Sequence, residues 1–394
     1  MRERGEGNVR KRKICVVVAS RANYSSIKSV MCAVRARPDL DLQFVAAASA
    51  LLDRFGSVVE VAEADGFVPT ARINMIIEGG SPATMAKSTG LGLLELPSVF
   101  DHLKPDVVVT VGDRFETMAT AIAAAYMNIP VAHTMGGEVT GTIDESVRHA
   151  VTKLAHIHFP ANQGAADRII RLGEQPAAVH VVGCPRIDLL VEVAAKDANG
   201  LDTAWLRKEG VGGAIDPDHP FLLVAQYPVT TEYGQAERQI AETLAALQEL
   251  AEPAIMLWPN VDAGSEDVAR GMRKFRETGE DSGIRFYKNF PPETFIRLMM
   301  RCACMLGNSS AAIRDGAFLG VPAVNIGTRQ AGRERGKNVV DVPYDRREII
   351  RAVKRQAEAG RYASDPLYGD GHAGERIAEV LATCPLDVQK QIAY

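Results

Sequence analysis

Short apolar runs, each closed by small polar residues or glycine, alternate along the chain with longer segments whose apolar residues recur at helical spacing. "KICVVVAS" (13–20) is β-branched and uninterrupted, which predicts a strand buried on both faces of a parallel sheet. In "YSSIKSVMCAVRAR", Ile27, Val30, Met31 and Val34 share one face and predict a helix. "LQFVAAAS" reads as a second strand, and "PDVVVTVGD" (105–113) is the clearest of this half. "FETMATAIAAAYM" follows as a helix and "IPVAH" as a strand, and "HVVGCP" (180–185) is expected to close this first series.

The alternation then restarts. "PFLLVAQ" (220–226), "PAIMLWPN" (253–260), "IRFYKNF", "CACMLGN" and "PAVNIG" read as strands. "GQAERQIAETLAALQELA" carries Ile240, Leu244, Leu247 and Leu250 on one helical stripe. Between the halves, "AAKDANGLDTAWLRKEGVGGAIDPD" is polar and glycine-rich, which places a boundary near residues 186–215. The pattern predicts an α/β protein of two doubly wound domains, at 14–190 and 215–370, with 371–394 as a C-terminal tail or helix. Sheets of this kind bind ligands at the carboxyl ends of their strands, so the site is expected in a cleft between the domains.

Composition narrows the function classes. The 394 residues are 46% apolar and 24% charged with a formal net charge of −4, average for a globular protein and short of the basic excess that a nucleic-acid partner needs. The basic stretch "MRERGEGNVRKRK" (1–13) lacks an apolar core, so a disordered tail is expected rather than a secretory signal. No apolar run reaches spanning length, and no membrane partner is expected. None of the six cysteines forms a CxxC pair; as small hydrophobes in a reducing compartment they fit a cytoplasmic protein.

Chemistry collects at the predicted strand ends. "GDRFE" puts Asp113 and Arg114 at the tip of the 105–113 strand, where a helix-capping aspartate is the plain alternative. "ASRANYSS" offers Arg21 and serines at a helix start, a possible anion site or an ordinary loop, without the GxGxxG pattern. In "HTMGGEVTGTIDESVRHA" (133–150), Thr142 and Glu145 have capping-box spacing, so a helix is expected near Ile143. Asp144 in its first turn would then pair with Arg148 four residues on. Two glycines and a second acid, Glu138, precede it. "GNSSAAIRDGAFLG" (307–320) is the strongest local signal. A strand ends at Gly-Asn-Ser-Ser and a helix follows at once, leaving free N–H groups and a helix dipole to meet a phosphate, with Ser309 and Ser310 adding hydroxyls. Arg329, Arg333 and Arg335 are expected on the same rim. Phe290 in "KNFPPETF" could stack a base or simply precede a helix. His156 and His158 lack a third ligand at metal spacing, so no metal site is expected.

Together with "STGLGLLELPSVFDHLKPDVVVTVGDRFE", "VVGCPRIDLL", "PVTTE", "PNVDAGS" and "YGDG", these stretches resemble the hydrolysing (non-phosphorylating) UDP-N-acetylglucosamine 2-epimerases of sialic-acid-type pathways. The resemblance covers nearly all of the chain after residue 13. It implies the GT-B fold, two Rossmann-like domains with the nucleotide on the C-terminal one and the sugar facing the N-terminal one. It gives Ser309, Ser310 and Arg329 diphosphate roles, with Arg21 beside them. The implied reaction is an anti-elimination: the proton on sugar carbon 2 is removed, the nucleotide leaves carbon 1, and water adds to the resulting glycal. Asp113 and Asp144 carry over as catalytic acids, with Arg114, His133 and Glu138 in the same motifs.

Four positions depart from the pattern implied by the resemblance. Met135 stands where a third carboxylate is expected, Tyr227 where a histidine is expected, Asn23 for an acid, and Asp315 for a longer acid that grips the ribose. No cofactor is implied, the expected partner is a sugar nucleotide, and a homodimer or homotetramer is expected. Three outcomes remain open: an epimerase with rearranged acid–base groups, a relative that runs elimination, dehydration or hydrolysis on another nucleoside sugar, and a sugar-nucleotide-binding protein without catalysis.

Overall fold

The computed structural model describes residues 10–196, 200–277 and 283–393. The first sheet contains β1 (Arg12–Val18), β2 (Leu40–Ala47), β3 (Ala71–Ile73), β4 (Val107–Val111), β5 (Val131–Thr134) and β6 (Ile157–Phe159). They run parallel in the order β3-β2-β1-β4-β5-β6. The second sheet contains β7 (Val211–Gly212), β8 (Leu222–Ala225), β9 (Ala254–Leu257), β10 (Ile284–Tyr287), β11 (Cys304–Gly307), β12 (Ala323–Ile326) and β13 (Val339–Val342). Its order is β13-β12-β11-β8-β9-β10-β7, with β7 as an antiparallel edge. Helices cover both faces, which is why Ile14, Cys15, Val16, Val107, Val108 and Val109 are all fully buried and the strands read as continuous apolar runs. This is the GT-B arrangement.

The strand order reverses between β1 and β4 in the first sheet and between β8 and β11 in the second. Crevices open at the carboxyl ends of such reversal points. The two crevices face each other across the cleft.

Several elements differ from the sequence reading. Residues 180–184 form no strand; the preceding Val179 makes an isolated bridge with His158, and β6 closes the series instead. The expected 24–37 helix is split into Arg21–Ser25 and Lys28–Ala36, although Ile27, Val30, Met31 and Val34 are buried as the periodicity requires. The polar linker carries two helices, Pro185–Lys196 and Thr203–Glu209. The first buries Ile187, Leu189, Leu190 and Val193, so it belongs to the packed core. The strands β3, β7 and β13 are too short or too exposed to stand out as patterns.

The last helix, Ala373–Thr383, crosses back to the N-terminal domain rather than trailing as a tail. Its Ile377, Ala378 and Leu381 share a core cluster with Met31, Val34 and Ile187. Asp188 accepts hydrogen bonds from the Ala373 and Gly374 amides at 3.0 and 2.6 Å. Of the expected N-terminal tail, residues 1–9 lie outside the described residues, while Arg12 and Lys13 are already strand. Among the described residues no helix is long and apolar enough to cross a membrane. Cys15, Cys184, Cys302 and Cys304 are buried as free thiols.

Candidate active site

On the C-terminal side, the reversal between β8 and β11 positions Tyr227 and residues 308–310. Gly307 has φ 123°, and a Cβ there would lie 2.3 Å from Ala225 O, so only glycine lets the strand ends approach this closely. The Asn308 side chain then clamps Tyr227 from both ends: it accepts from Tyr227 N at 2.7 Å and donates to Tyr227 O at 2.8 Å. Ser309 caps the helix Ser310–Leu319 by accepting from Ala311 N. The helix therefore opens into the cleft with its positive dipole end and remaining N–H groups. Two arginines flank Tyr227. Arg21 donates to Asn289 Oδ1 at 2.8 Å and to the Tyr227 hydroxyl at 3.3 Å. The Arg329 guanidinium lies 5.4 Å from the centre of the Tyr227 ring, a cation–π contact.

Across the cleft, the tips of β4 and β5 and the start of the helix Asp144–Leu154 supply the carboxylates. Asp113 makes no helix cap. Its Oδ2 accepts from Arg148 through Nε at 3.1 Å and through Nη2. Burial alone would raise the Asp113 carboxyl, but the charges of Arg148, Arg333 and Arg314 outweigh it and hold Asp113 well below the usual carboxylate range. Asp144 is pushed the opposite way, up to about 7, by burial and by the facing charges of Asp113 and Asp262, against weaker relief from Arg329 and Arg114. Among the described residues no donor hydrogen-bonds to its carboxylate, and the closest cation is Arg329, 3.9 Å away. One rim thus holds an anion paired to Arg148 beside a carboxyl whose pKa is raised by burial and by its anionic neighbours.

The expected i,i+4 pair between Asp144 and Arg148 does not form. Arg148 is fully buried and turns away, to Asp113 and to Glu145 at 2.8 Å. The expected capping box is also absent. Glu145 accepts from Thr140 N rather than closing on Thr142, because the loop before the helix docks on the other domain. That docking runs through Gly141 N to Arg329 O at 3.0 Å and Ile143 N to Thr230 Oγ1 at 3.2 Å. The adjacent glycines have a packing reason: a Cβ at Gly137 would lie 2.2 Å from Ala165 O, and one at Gly136 would lie 2.9 Å from His133 Nδ1.

His133 and Glu138 do not line the cleft. His133 is fully buried, and its Nε2–H donates to Gly112 O at 2.9 Å. Burial lowers its pKa to about 4, so it stays neutral and braces the Gly112 turn. Glu138 accepts from Arg314 Nη2 at 2.8 Å and Arg333 Nη1 at 2.5 Å, and these cations outweigh burial and keep it ionised. It is an internal counter-ion across the domain interface. Met135 does line the cleft; its backbone is left-handed at φ 59°, and its sulfur lies 3.5 Å from the Cys184 sulfur.

Asn23 is used up structurally. Its oxygen accepts from Ala19 N at 3.2 Å and its nitrogen donates to Val111 O at 3.0 Å, tying the ends of β1 and β4. Phe290 touches the cleft but is 2% exposed, packed 4.6 Å from Tyr287 and beside Trp205, so its faces are occupied by core. Asp315 is held by Arg186 Nε at 2.8 Å. Arg335 turns out of the site to Asp341 and Gln330 O. Arg114 sits on the N-terminal rim, bonding Glu116 through two nitrogens at 3.2 Å and reaching Asp262 of the other domain at 2.6 Å.

The sequence reading missed Arg186, Arg314 and Asp262. Each sits inside a stretch with a visible motif, yet nothing in the spacing says that Arg186 would cross to Asp315 or that Asp262 would face Arg114. His158 pairs with Glu174 at 3.1 Å and His156 accepts from Val131 N at 3.1 Å. Among the described residues no cluster suited to a metal ion occurs.

The family model for UDP-N-acetylglucosamine 2-epimerase matches residues 32–382. The chain is 32% identical over 378 residues to UDP-N,N'-diacetylbacillosamine 2-epimerase (hydrolyzing) of Legionella pneumophila, covering 96% of this chain and 97% of that one. It is 29% identical over 373 residues to UDP-N-acetylglucosamine 2-epimerase of Neisseria meningitidis, covering 94% and 95%. The crystal structure of the UDP-GlcNAc 2-epimerase from Neisseria meningitidis bound to UDP-GlcNAc superposes with a TM-score of 0.77 at 18% identity, over 94% of this chain and 99% of that chain, a likeness of fold.

Proposed function

The chain belongs to the UDP-N-acetylglucosamine 2-epimerase family, and from that premise we propose that it is a hydrolysing sugar-nucleotide 2-epimerase acting on a 2-acetamido sugar nucleotide. It eliminates the nucleoside diphosphate and hydrates the glycal. The observation that carries this reading is the placement of Asp113 and Asp144 in the same cleft as the start of the helix Ser310–Leu319, with Arg21 and Arg329 beside it.

The diphosphate lies at Ser309 and Ser310 between Arg21 and Arg329. Charge-assisted donors and the helix terminus there stabilise the charge that develops as the nucleotide departs. Asp113 is the permanent anion available to the hydrogen on carbon 2. Asp144 holds or releases a proton around neutrality, which suits a general acid–base group. The Tyr227 hydroxyl accepts from Arg21 and keeps its own hydrogen for the substrate. The Legionella relative's substrate carries two acetamido groups by name, and the apolar floor that Met135 forms favours a sugar with apolar substituents over a fully hydroxylated one.

That floor also favours a second reading, in which the reaction stops at elimination. A thioether transfers no proton, so the step that the missing carboxylate would serve has no obvious donor. Purified protein incubated in deuterium oxide with UDP-N-acetylglucosamine or UDP-N,N'-diacetylbacillosamine, followed by NMR, tests both. Free sugar with deuterium at carbon 2 and released UDP is expected. A stable unsaturated sugar supports the second reading, and no UDP from either substrate overturns both.

A further inference from the structure

Arg329 sits between two carboxylates without hydrogen-bonding to either. Its Nη2 is 3.9 Å from Asp144 Oδ2 and 3.8 Å from Asp262 Oδ2. Its Nη1 donates at 3.3 Å to Asn308 O, and its Nε is buried with no partner among the described residues. The other cations around Asp144 are committed. Arg114 is spent on Glu116 and Asp262, and Arg148, on Asp144's own helix, is spent on Asp113 and Glu145. The remaining groups facing Asp144 are anions: Asp113 from the end of β4 and Asp262 from the loop after β9. His149, on the same helix, is paired with Glu145. The ionised form of Asp144 therefore leans on Arg329.

We propose that Arg329 gates the charge of Asp144: in the free protein it supports the carboxylate, and when a diphosphate claims its guanidinium, Asp144 takes a proton from solvent. This rests on the diphosphate position argued above. The phosphates draw Arg329 into charge-assisted hydrogen bonds, which Asp144 does not offer, and they add negative charge beside a carboxyl already facing two others. The pKa of free Asp144, already raised by burial and its anionic neighbours, leaves it poised for this change.

The consequence is a proton loaded only when substrate is present. In the elimination, a base on the protein takes the hydrogen on carbon 2, that bond's electrons form the carbon 1–carbon 2 double bond, and the carbon 1–oxygen bond breaks. The departing diphosphate oxygen, holding the pair from that bond, takes the Asp144 proton and leaves Asp144 ionised. The gate thus supplies an acid to the leaving group at the same arginine that recognises it.

Linkage gives a direct readout, because a group whose pKa rises on binding takes up protons as the ligand binds. The full chain is titrated with UDP-glucose, whose diphosphate diester does not titrate near neutrality, by calorimetry at pH 7.5 in buffers of different ionisation enthalpy. An uptake of about 0.5 proton or more per bound nucleotide is expected, from the linkage of a single carboxyl. Asp144→Asn should abolish the uptake while still binding. Arg329→Gln, in which Asp144 is protonated before the ligand arrives, should show weaker binding and little uptake. Binding without proton uptake in the unmodified protein overturns the gate and leaves the sugar-nucleotide reading standing. Undiminished uptake in Asp144→Asn overturns the assignment to Asp144. No binding of UDP-glucose or UDP-N-acetylglucosamine overturns both the gate and the function it rests on.

Discussion

Replacing Arg148 by methionine tests whether one buried ion pair sets both the stability of the N-terminal domain and the charge of Asp113. Arg148 is fully buried and makes five hydrogen bonds: two to Asp113, and one each to Glu138 O, Glu145 and Thr140 Oγ1. Methionine fills similar space and replaces none of them. Breaking a buried pair by removing one partner costs about 3–5 kcal/mol, because the other charge stays buried and unpaired. At about 2–4 °C per kcal/mol for a domain of this size, the melting temperature should fall by about 6–20 °C. The sign of the pH dependence follows from Asp113. Its folded pKa is depressed, so its stabilisation is fully present above the ordinary carboxylate range, about pH 4, and is lost only as the pH falls through the depressed value. Without Arg148, burial acts with less opposition and the pKa moves up. The charged Asp113 then costs stability at neutral pH, and that cost is relieved as the pH falls. Scanning calorimetry should therefore find the deficit large at pH 7 and smaller near about pH 4.5. The double variant Arg148→Met with Asp113→Asn removes the stranded charge and should recover about 2 kcal/mol over the single one. An equal deficit at both pH values, with no recovery in the double variant, refutes the reasoning.

Three other outcomes are expected. Arg329→Ala should weaken UDP binding by about 1 kcal/mol or more through the lost charge-assisted hydrogen bonds, and an unchanged calorimetric Kd in a folded variant refutes the diphosphate position. Restoring Met135→Glu together with Tyr227→His should raise UDP release from UDP-N-acetylglucosamine, since single acid–base groups contribute about a hundred- to ten-thousand-fold. Turnover of that substrate by the unmodified protein at about 1 per second or faster counts against this. Asn23→Asp loses the donor to Val111 O and should cost about 1–3 kcal/mol in thermal unfolding; an unaltered transition would mean that the β1–β4 tie is not stabilising.

The sequence by itself determined the architecture and the turn that starts the helix Ser310–Leu319. Strands buried on both faces have no polar alternation to confuse them, so β1, β4, β8 and β11 are legible as apolar runs. The Gly-Asn-Ser-Ser turn is legible because its chemistry is local: a strand end, a glycine that only close backbone approach explains, and a helix start follow within four residues. The carboxylate half was legible as residue identities and not as roles. Asp144 and Arg148 are correctly spaced to pair, and Glu138 lies in the same loop as the catalytic candidates. Tertiary structure sends Arg148 to Asp113, locks Glu138 between two arginines of the other domain, and leaves Asp144 with no hydrogen-bond donor among the described residues. Those charges are set by which groups burial brings together across 176 and 195 positions of chain. Electrostatics at a buried site depends on three-dimensional neighbours and on exclusion of water, and neither is written in the spacing of one loop.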